Sequence, residues 1–233
     1  MGAHEAPPVP SQGATRLSDT LPLGRRLPRS FYARRSSAVA PDLLGRVLVA
    51  RSDGGVRLAA RIVETEAYEP DDPASHAYRG RTTRNSVMFG QAGHLYVYFT
   101  YGMHFCMNAV TGRTGEGMAV LLRAAEPIDG LDEMRDRRGR SPVRQLCSGP
   151  AKLCQAFGVD RSFDGADLVL GNDLWIAAGT PVSSSVVSTG PRVGIRVGLE
   201  HGWRFWVDGD PYVSRGRDAA GASRSARRDP SIR

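Results

Sequence analysis

Residues 62–108 read IVETEAYEPDDPASHAYRGRTTRNSVMFGQAGHLYVYFTYGMHFCMN, and the rest of the chain is read outward from them. The stretch opens with V-E-T-E-A-Y, an alternation of strand period that puts Glu64 and Glu66 on one face and Val63, Thr65 and Ala67 on the other. Two acids side by side on one sheet face are either a solvated surface or a site, and for a pair met blind the surface is commoner. The stretch closes with a hairpin, in which Leu95, Val97 and Phe99 alternate with Tyr96, Tyr98 and Thr100, Gly102 marks the turn and His104 to Val110 returns. Strand tyrosines simply fit a half-buried pleated surface. A tyrosine at the turn itself, Tyr101, has little to pack on unless something else approaches.

Between strand and hairpin runs a long polar loop, EPDDPASHAYRGRTTRN, broken by Pro70, Pro73 and Gly80 and carrying Asp71 and Asp72 ahead of Arg79, Arg81 and Arg84. Long ordered loops in compact domains are usually functional. A lone loop histidine such as His76 is more often solvated than catalytic, and its company argues otherwise. Carboxylates and aromatics recurring on segments that would otherwise be core strands suit a pocket that holds a flat ring beside a base.

Upstream, SSAVAPDLLGRVLVA predicts a short helix near 37–44 and a strand over 46–51, with Asp53, Gly54 and Gly55 turning the chain into the strand over 56–66. Downstream, a buried strand over 118–125 is interrupted by Arg123, flanked by V-L-L and A-A. An unpaired buried charge is very costly, so Arg123 needs a structural ion pair or a ligand. A short charged helix is expected over 127–138. In LCSGPAKLCQAFG, Ser148 and Gly149 precede Pro150, a helix start whose free N–H groups suit a phosphate, and Lys152 in the first turn is the only lysine of the chain. DLVLGNDLWIAA, PVSSSVVS, RVGIRV and WRFWVDGDPYVS read as short strands with Gly and Asp turns. The total is a single mixed α+β domain, mostly antiparallel with a few helices. No regular strand–helix alternation supports a doubly wound sheet.

The 233 residues suffice for a proper core, and 41% hydrophobic with 24% charged is ordinary for a soluble domain. No apolar run approaches a membrane span of ~20 residues, and no signal peptide opens the chain. Cys106, Cys147 and Cys154 are expected as reduced thiols in a cytosol, at the nucleoid if the cell is bacterial. The net charge of +7 is concentrated at the ends. Residues 1–35 carry six Arg against Glu5 and Asp19, and residues 215–233 six Arg against Asp218 and Asp229, which leaves −1 for the span between. Both ends read as disordered, so the expected division is an Arg-rich tail over 1–30, one domain over 31–214 and a basic tail over 215–233. Such tails either attach loosely to a polyanion such as DNA or merely keep the protein soluble.

Several chemistries are set aside. There is no G-x-G-x-x-G after a strand, no P-loop and no G-x-S-x-G elbow. Cys147 and Cys154 stand seven apart, no C-x-x-C occurs and the histidines are scattered, so neither zinc nor an iron–sulfur cluster has support. What remains is acid–base chemistry by carboxylates framed by aromatics.

The run from Ile62 to Asn108, followed by LLRAAEP at 121–127 and LCSGPAKLCQAFG at 146–158, closely resembles the alkyladenine, or 3-methyladenine, DNA glycosylase family, over roughly residues 30–214. The resemblance implies an open-barrel-like sheet with a protruding hairpin, similar to a formyltransferase C-terminal domain. It also implies a monomer without metal or cofactor that flips damaged purines out of duplex DNA from the minor-groove side and hydrolyses their N-glycosidic bond. Glu66 then matches the acid that activates water, Arg123 the arginine that helps hold it, and Val193 a main-chain carbonyl completing the cradle. Tyr68, His76 and Tyr98 match the walls that stack the base, Asn108 a filter against normal guanine, Tyr101 the wedge at the hairpin tip, and Ser148, Gly149 and Lys152 a phosphate contact. Glu64 is left with a structural or supporting role. A bifunctional glycosylase needs an amine nucleophile, and with the sole lysine in the phosphate motif, water is the expected nucleophile. Two competing readings are a non-catalytic nucleic-acid-binding module of the same fold and an N-ribosyl hydrolase acting on free nucleosides.

Overall fold

The computed structural model describes residues 23–100 and 102–215. In chain order the elements are α1 (Arg29–Tyr32), α2 (Ser36–Asp42), β1 (Val47–Arg51), β2 (Arg57–Tyr68), β3 (Leu95–Thr100), β4 (His104–Thr111), β5 (Met118–Asp129), α3 (Leu131–Arg137), α4 (Val143–Leu146), α5 (Pro150–Phe157), β6 (Leu174–Ala177), β7 (Val187–Gly190) and β8 (Arg204–Val207). The strands form one antiparallel sheet in the order β3-β4-β5-β2-β1-β6, with β8 also on β2 and β7 on β8. This is the mixed, mostly antiparallel α+β domain that the residue pattern predicts.

The long strand β2 makes the sheet curl. Its register against β5 slips between Ile62 and Glu64 and again between Glu64 and Thr65. Such bulges bend a strand and increase its twist. On the side away from β5, the first half of β2 therefore pairs with β1 (Arg57 to Arg61) and its second half with β8 (Glu64 to Thr65 to Glu66). The sheet divides at the bend into a half-barrel, and Glu64 and Glu66 lie inside the division. Neither glutamate is on a solvated face, because β8 covers them and both are fully buried.

The main core lies between the curled sheet and the helices: α2 packs on β2, and α5 on β4 and β5. Leu43, Leu48, Ile62, Leu95, Met107 and Leu122 are wholly buried there. Burying a side chain of this kind contributes roughly 1.5–3 kcal/mol.

Three expectations change. The helix predicted over 127–138 begins later, because Pro127 and Asp129 still pair with Ala60 and Ala59 of β2; only after Gly130, at φ 71°, does α3 start. RVGIRV is a loop rather than a strand. The folded part also begins before residue 31: Leu27 is buried and donates its N–H to the Ile176 carbonyl at 2.9 Å, and Arg29 pairs with Asp167 at 2.7 Å. Residues 1–22 and 216–233, most of the two expected tails, lie outside the described residues, as does Tyr101. Among the described residues no helix is long and apolar enough to cross a membrane.

Candidate active site

Glu66 sits near the end of β2 with both carboxylate oxygens engaged. Oε1 accepts the Val193 N–H at 2.7 Å and lies 3.1 Å from Arg123 Nη1; Oε2 accepts the Tyr68 hydroxyl at 2.9 Å. A buried carboxylate is tolerable only when paired and hydrogen-bonded, and Glu66 is both. Val193 thus reaches Glu66 through its amide N–H, a contact separate from the one expected of its carbonyl toward water. The loop conformation of RVGIRV leaves that amide free of a sheet ladder and able to point inward.

Arg123 bridges the two glutamates, with Nη1 toward Glu66 and Nε donating to Glu64 Oε1 at 3.0 Å. Burial pulls its guanidinium down, but the Glu66 and Glu64 carboxylates outweigh this and hold it above its ordinary value. Burial, reinforced by the Glu66 charge, holds the Tyr68 phenol well above its ordinary range, so it remains a proton donor to Glu66. Of the alternatives open for Arg123, the structure shows the ion pair, and the pair contains the candidate base.

Beside Glu66 lies an aromatic slot lined by Tyr68, His76, Met88, Tyr96, Tyr98 and Asn108. His76 packs edge-on against Tyr98, with ring centroids 4.6 Å apart at 78°. The slot is about 20 Å³, room for about one water. Stacking a base between the two rings requires them to part to about 7 Å, twice the ~3.5 Å carbon contact distance. The expected walls therefore converge but touch each other, and a purine enters only by separating them. Partial burial, with help from the Arg84 charge, lowers the His76 imidazole, so the ring is neutral at neutral pH.

Tyr96 belongs to this slot and was not singled out in the sequence. Its hydroxyl is 3.0 Å from His76 Nδ1, its carbonyl accepts Asn108 Nδ2–H at 3.1 Å, and burial pushes its phenol up to about 12. The available signal was its place two residues before Tyr98 on the same strand face. Arg192 was missed as well; its guanidinium lies 4.7 Å from the Tyr68 ring centroid, behind the slot. No local pattern marks it.

On the other side of Arg123 opens a polar cleft of about 690 Å³. Ser148, Gly149 and Lys152 line it together with Arg123, Arg144 and Arg215. Lys152 Nζ donates to Ser148 Oγ at 3.3 Å, and no carboxylate lies among the lining residues. Pro150 takes the first position of α5, and the two residues before it, Ser148 and Gly149, line this space. One buried pair links slot and cleft: Glu66 is bonded to Tyr68 of the slot, and Arg123 lines the cleft. Tyr101 lies outside the described residues, but its neighbours Phe99 and Met103 are exposed at the hairpin tip. Among the described residues no three His, Cys, Asp or Glu side chains cluster so as to hold a metal ion.

Comparison with known proteins gives the geometry its context. The model of the methylpurine-DNA glycosylase family matches residues 30–211. A protein of Carboxydothermus hydrogenoformans, provisionally named a 3-methyladenine DNA glycosylase, is 50% identical over 189 residues, covering 81% of this chain and 98% of its own length. Proteins with the same provisional name from Streptomyces avermitilis and Burkholderia cenocepacia are 53% and 49% identical over 194 residues, covering 81% and 82% of this chain and 90% and 92% of their own lengths. With most of its length matched in this way, the chain belongs to the methylpurine-DNA glycosylase family.

Proposed function

We propose that this protein is a monofunctional DNA glycosylase of the 3-methyladenine type, which rotates a damaged purine out of the duplex and hydrolyses its N-glycosidic bond with water. The observation that carries this reading is the seam: a buried carboxylate–arginine pair with an aromatic slot on one side and a cationic cleft on the other. A free nucleoside needs the slot and has no use for the cleft. A DNA nucleotide uses both, its base in the slot and its flanking phosphates at Ser148, Gly149 and Lys152.

In the reaction, Glu66 in its ionised form takes a proton from a water molecule as the water oxygen bonds to the sugar C1′. The C1′–N9 electron pair leaves with the base. For a 3- or 7-alkylated purine the departing ring already carries a positive charge and leaves neutral, so no further proton is required. Arg123 and the Val193 N–H keep the Glu66 carboxylate in place. A deaminated base such as hypoxanthine would have to be protonated as it leaves. Tyr68, His76 and Tyr98 stack the base, and Asn108, anchored on the Tyr96 carbonyl, stands where a guanine amine would clash. Stacking at roughly 1–3 kcal/mol per base helps offset the few kcal/mol of flipping and the parting of His76 from Tyr98. Tyr101 at the hairpin tip fills the gap from the minor-groove side.

Incubating the protein with duplexes that carry 3-methyladenine, 7-methylguanine or hypoxanthine, and scoring abasic sites after alkali, tests the proposal. Excision of an alkylated purine by wild type and its loss in Glu66→Gln are expected. No excision of any lesion, full activity in Glu66→Gln, or activity on free nucleosides alone would overturn it.

A further inference from the structure

Glu64 is wholly buried one strand repeat from Glu66 and takes no part in the chemistry proposed above, yet it accepts more bonds than Glu66 does. Its Oε1 accepts from Arg123 Nε at 3.0 Å, Arg204 Nε at 2.7 Å and Ser214 Oγ at 3.0 Å, and its Oε2 accepts the Ser214 N–H at 2.7 Å. Ser214 also takes Arg123 Nη2 on its hydroxyl at 3.3 Å and Arg204 Nη2 on its carbonyl at 3.4 Å. The Arg204 guanidinium lies over the Trp206 ring at 4.8 Å. Glu64 and Glu66 against Arg123 and Arg204 make a buried cluster of two negative and two positive charges.

We propose that Glu64, Arg204 and Ser214 are positioning residues for base excision, which fix the plane of the Arg123 guanidinium against Glu66 and set the charge that Glu66 feels. The inference rests on the glycosylase reading above. A guanidinium is a rigid fork, so holding Nε and Nη2 leaves Nη1 one direction, toward Glu66. If Arg204 were absent, Glu64 would draw on Arg123 alone, and Arg123 would divide its charge between two carboxylates. Arg204 neutralises Glu64 and leaves Arg123 to Glu66.

The other groups facing Glu66 do not supply this balance. Tyr68 from β2, Tyr98 from β3 and Cys106 from β4 are pushed upward, chiefly by burial, and stay protonated. Arg192, from the loop before β8, is bound to Asp72. The remaining charge comes from Arg123 on β5, Arg204 on β8 and Glu64 on β2 itself. Ser214 and Arg123 also line the cationic cleft, so a phosphate lodged there would touch the same network.

The test is the pH dependence of single-turnover excision of 7-methylguanine from duplex DNA between pH 5 and 9, for wild type, Glu64→Gln, Arg204→Met, Arg204→Lys and Ser214→Ala. Glu64→Gln leaves an excess of positive charge beside Glu66, so the acid limb moves to lower pH by about one unit and the plateau rate falls, because the base is weaker. Arg204→Met leaves an excess of negative charge and moves the acid limb to higher pH, while Arg204→Lys restores it. Ser214→Ala loosens Arg123 and lowers the single-turnover plateau several-fold at saturating protein. Residues that only glued the strands together would lower the rate at all pH values and leave the limb in place. Should Arg204→Met fail to fold by circular dichroism, the isosteric Glu64→Gln still decides. An unmoved acid limb in Glu64→Gln, or limbs that move the same way in both variants, overturns the proposal. A wild type without excision overturns the glycosylase reading instead.

Discussion

Arg192 and Asp72 face each other in the interior with both side chains fully buried, Nη2 donating to Asp72 Oδ1 at 2.8 Å and Nη1 to Oδ2. Nη1 also donates to the Ala67 carbonyl at 3.0 Å and Nη2 to the Gly198 carbonyl at 3.2 Å. One guanidinium therefore ties the end of β2, the polar loop and the segment before β8 together. It also packs against the rings of Tyr68, at 4.7 Å, and Trp203, at 5.3 Å. Val193, whose amide meets Glu66, is the next residue in the chain.

Breaking this pair is expected to act on stability and on the site together. Asp72→Asn leaves Arg192 charged and buried without its counter-ion, at a cost of about 3–5 kcal/mol in urea unfolding. Asp72→Leu with Arg192→Met is expected to regain most of that stability, since an apolar replacement of a buried pair is often neutral. It is not expected to regain excision, because the Tyr68 ring loses its backing and the Val193 amide its anchor. Recovery of both stability and rate in the double variant would mean that the pair serves only the fold.

The lowered His76 imidazole gives a pH dependence whose sign is fixed. Its ordinary value is about 6.5 and its folded value lies below that, from partial burial and the Arg84 charge. The folded protein therefore resists protonation there. The stability tied to His76 is present in full above 6.5 and is lost as the pH falls below it toward the folded value. The ring is expected to titrate below 6.5 when followed by NMR. The fall in melting temperature between pH 7.5 and 5.5 is expected to shrink in His76→Gln. An equal fall in the two proteins would show that His76 is not strained by protonation.

Much of this site can be read from the chain, and the division has a physical basis. Glu66, Tyr68, His76, Tyr98 and Asn108 lie within one run of strand and loop, and it is the family resemblance of that run that picks them out, since spacing alone gives them bland readings. Arg123 stands out because a charge inside an apolar strand is expensive. Arg204, between Trp203 and Phe205, carries the same signal as Arg123, whereas Asp72, Arg192 and Ser214 act across 120 to 150 residues of chain and nothing in their own neighbourhoods distinguishes them from surface polar residues. The burial of Glu64 was hidden for a related reason. Alternation correctly puts it beside Glu66, but only the bulges in β2 and the arrival of β8 turn that face inward. The strand limit at Asp129 escaped because Pro127 reads as a helix start, whereas in the sheet it pairs beside a bulge, where a missing N–H is tolerated.

Lys152 is expected to act on affinity and not on discrimination. Lys152→Ala removes one phosphate-directed charge from the cleft, so binding weakens alike on damaged and undamaged duplex. The slope of log K against log salt should become shallower by about one. Fluorescence anisotropy from 50 to 300 mM salt measures both. A loss confined to lesion-containing DNA, or a lowered single-turnover rate at saturating protein, would place Lys152 in the chemistry instead.

The ends of the chain call for a cut at a place the structure chooses. Leu27 is buried and Arg29 is paired with Asp167, so deleting residues 1–30 removes part of the fold. Deleting residues 1–22 together with 216–233 spares both contacts. It removes Arg16 from one end and five arginines from the other, against Glu5, Asp19, Asp218 and Asp229. With binding through counterion release, the trimmed protein is expected to lose DNA affinity mainly at low salt, while its single-turnover excision and melting temperature stay near those of the full chain. Deletion to residue 30 is expected to lower the melting temperature by several degrees as well, since even ~1 kcal/mol shifts a domain of this size by about 2–4 °C. Equal melting temperatures for the two truncations would mean that residues 23–30 contribute nothing to the fold. A lost chemical step in the shorter deletion would give the ends a part in catalysis that counterion release does not explain.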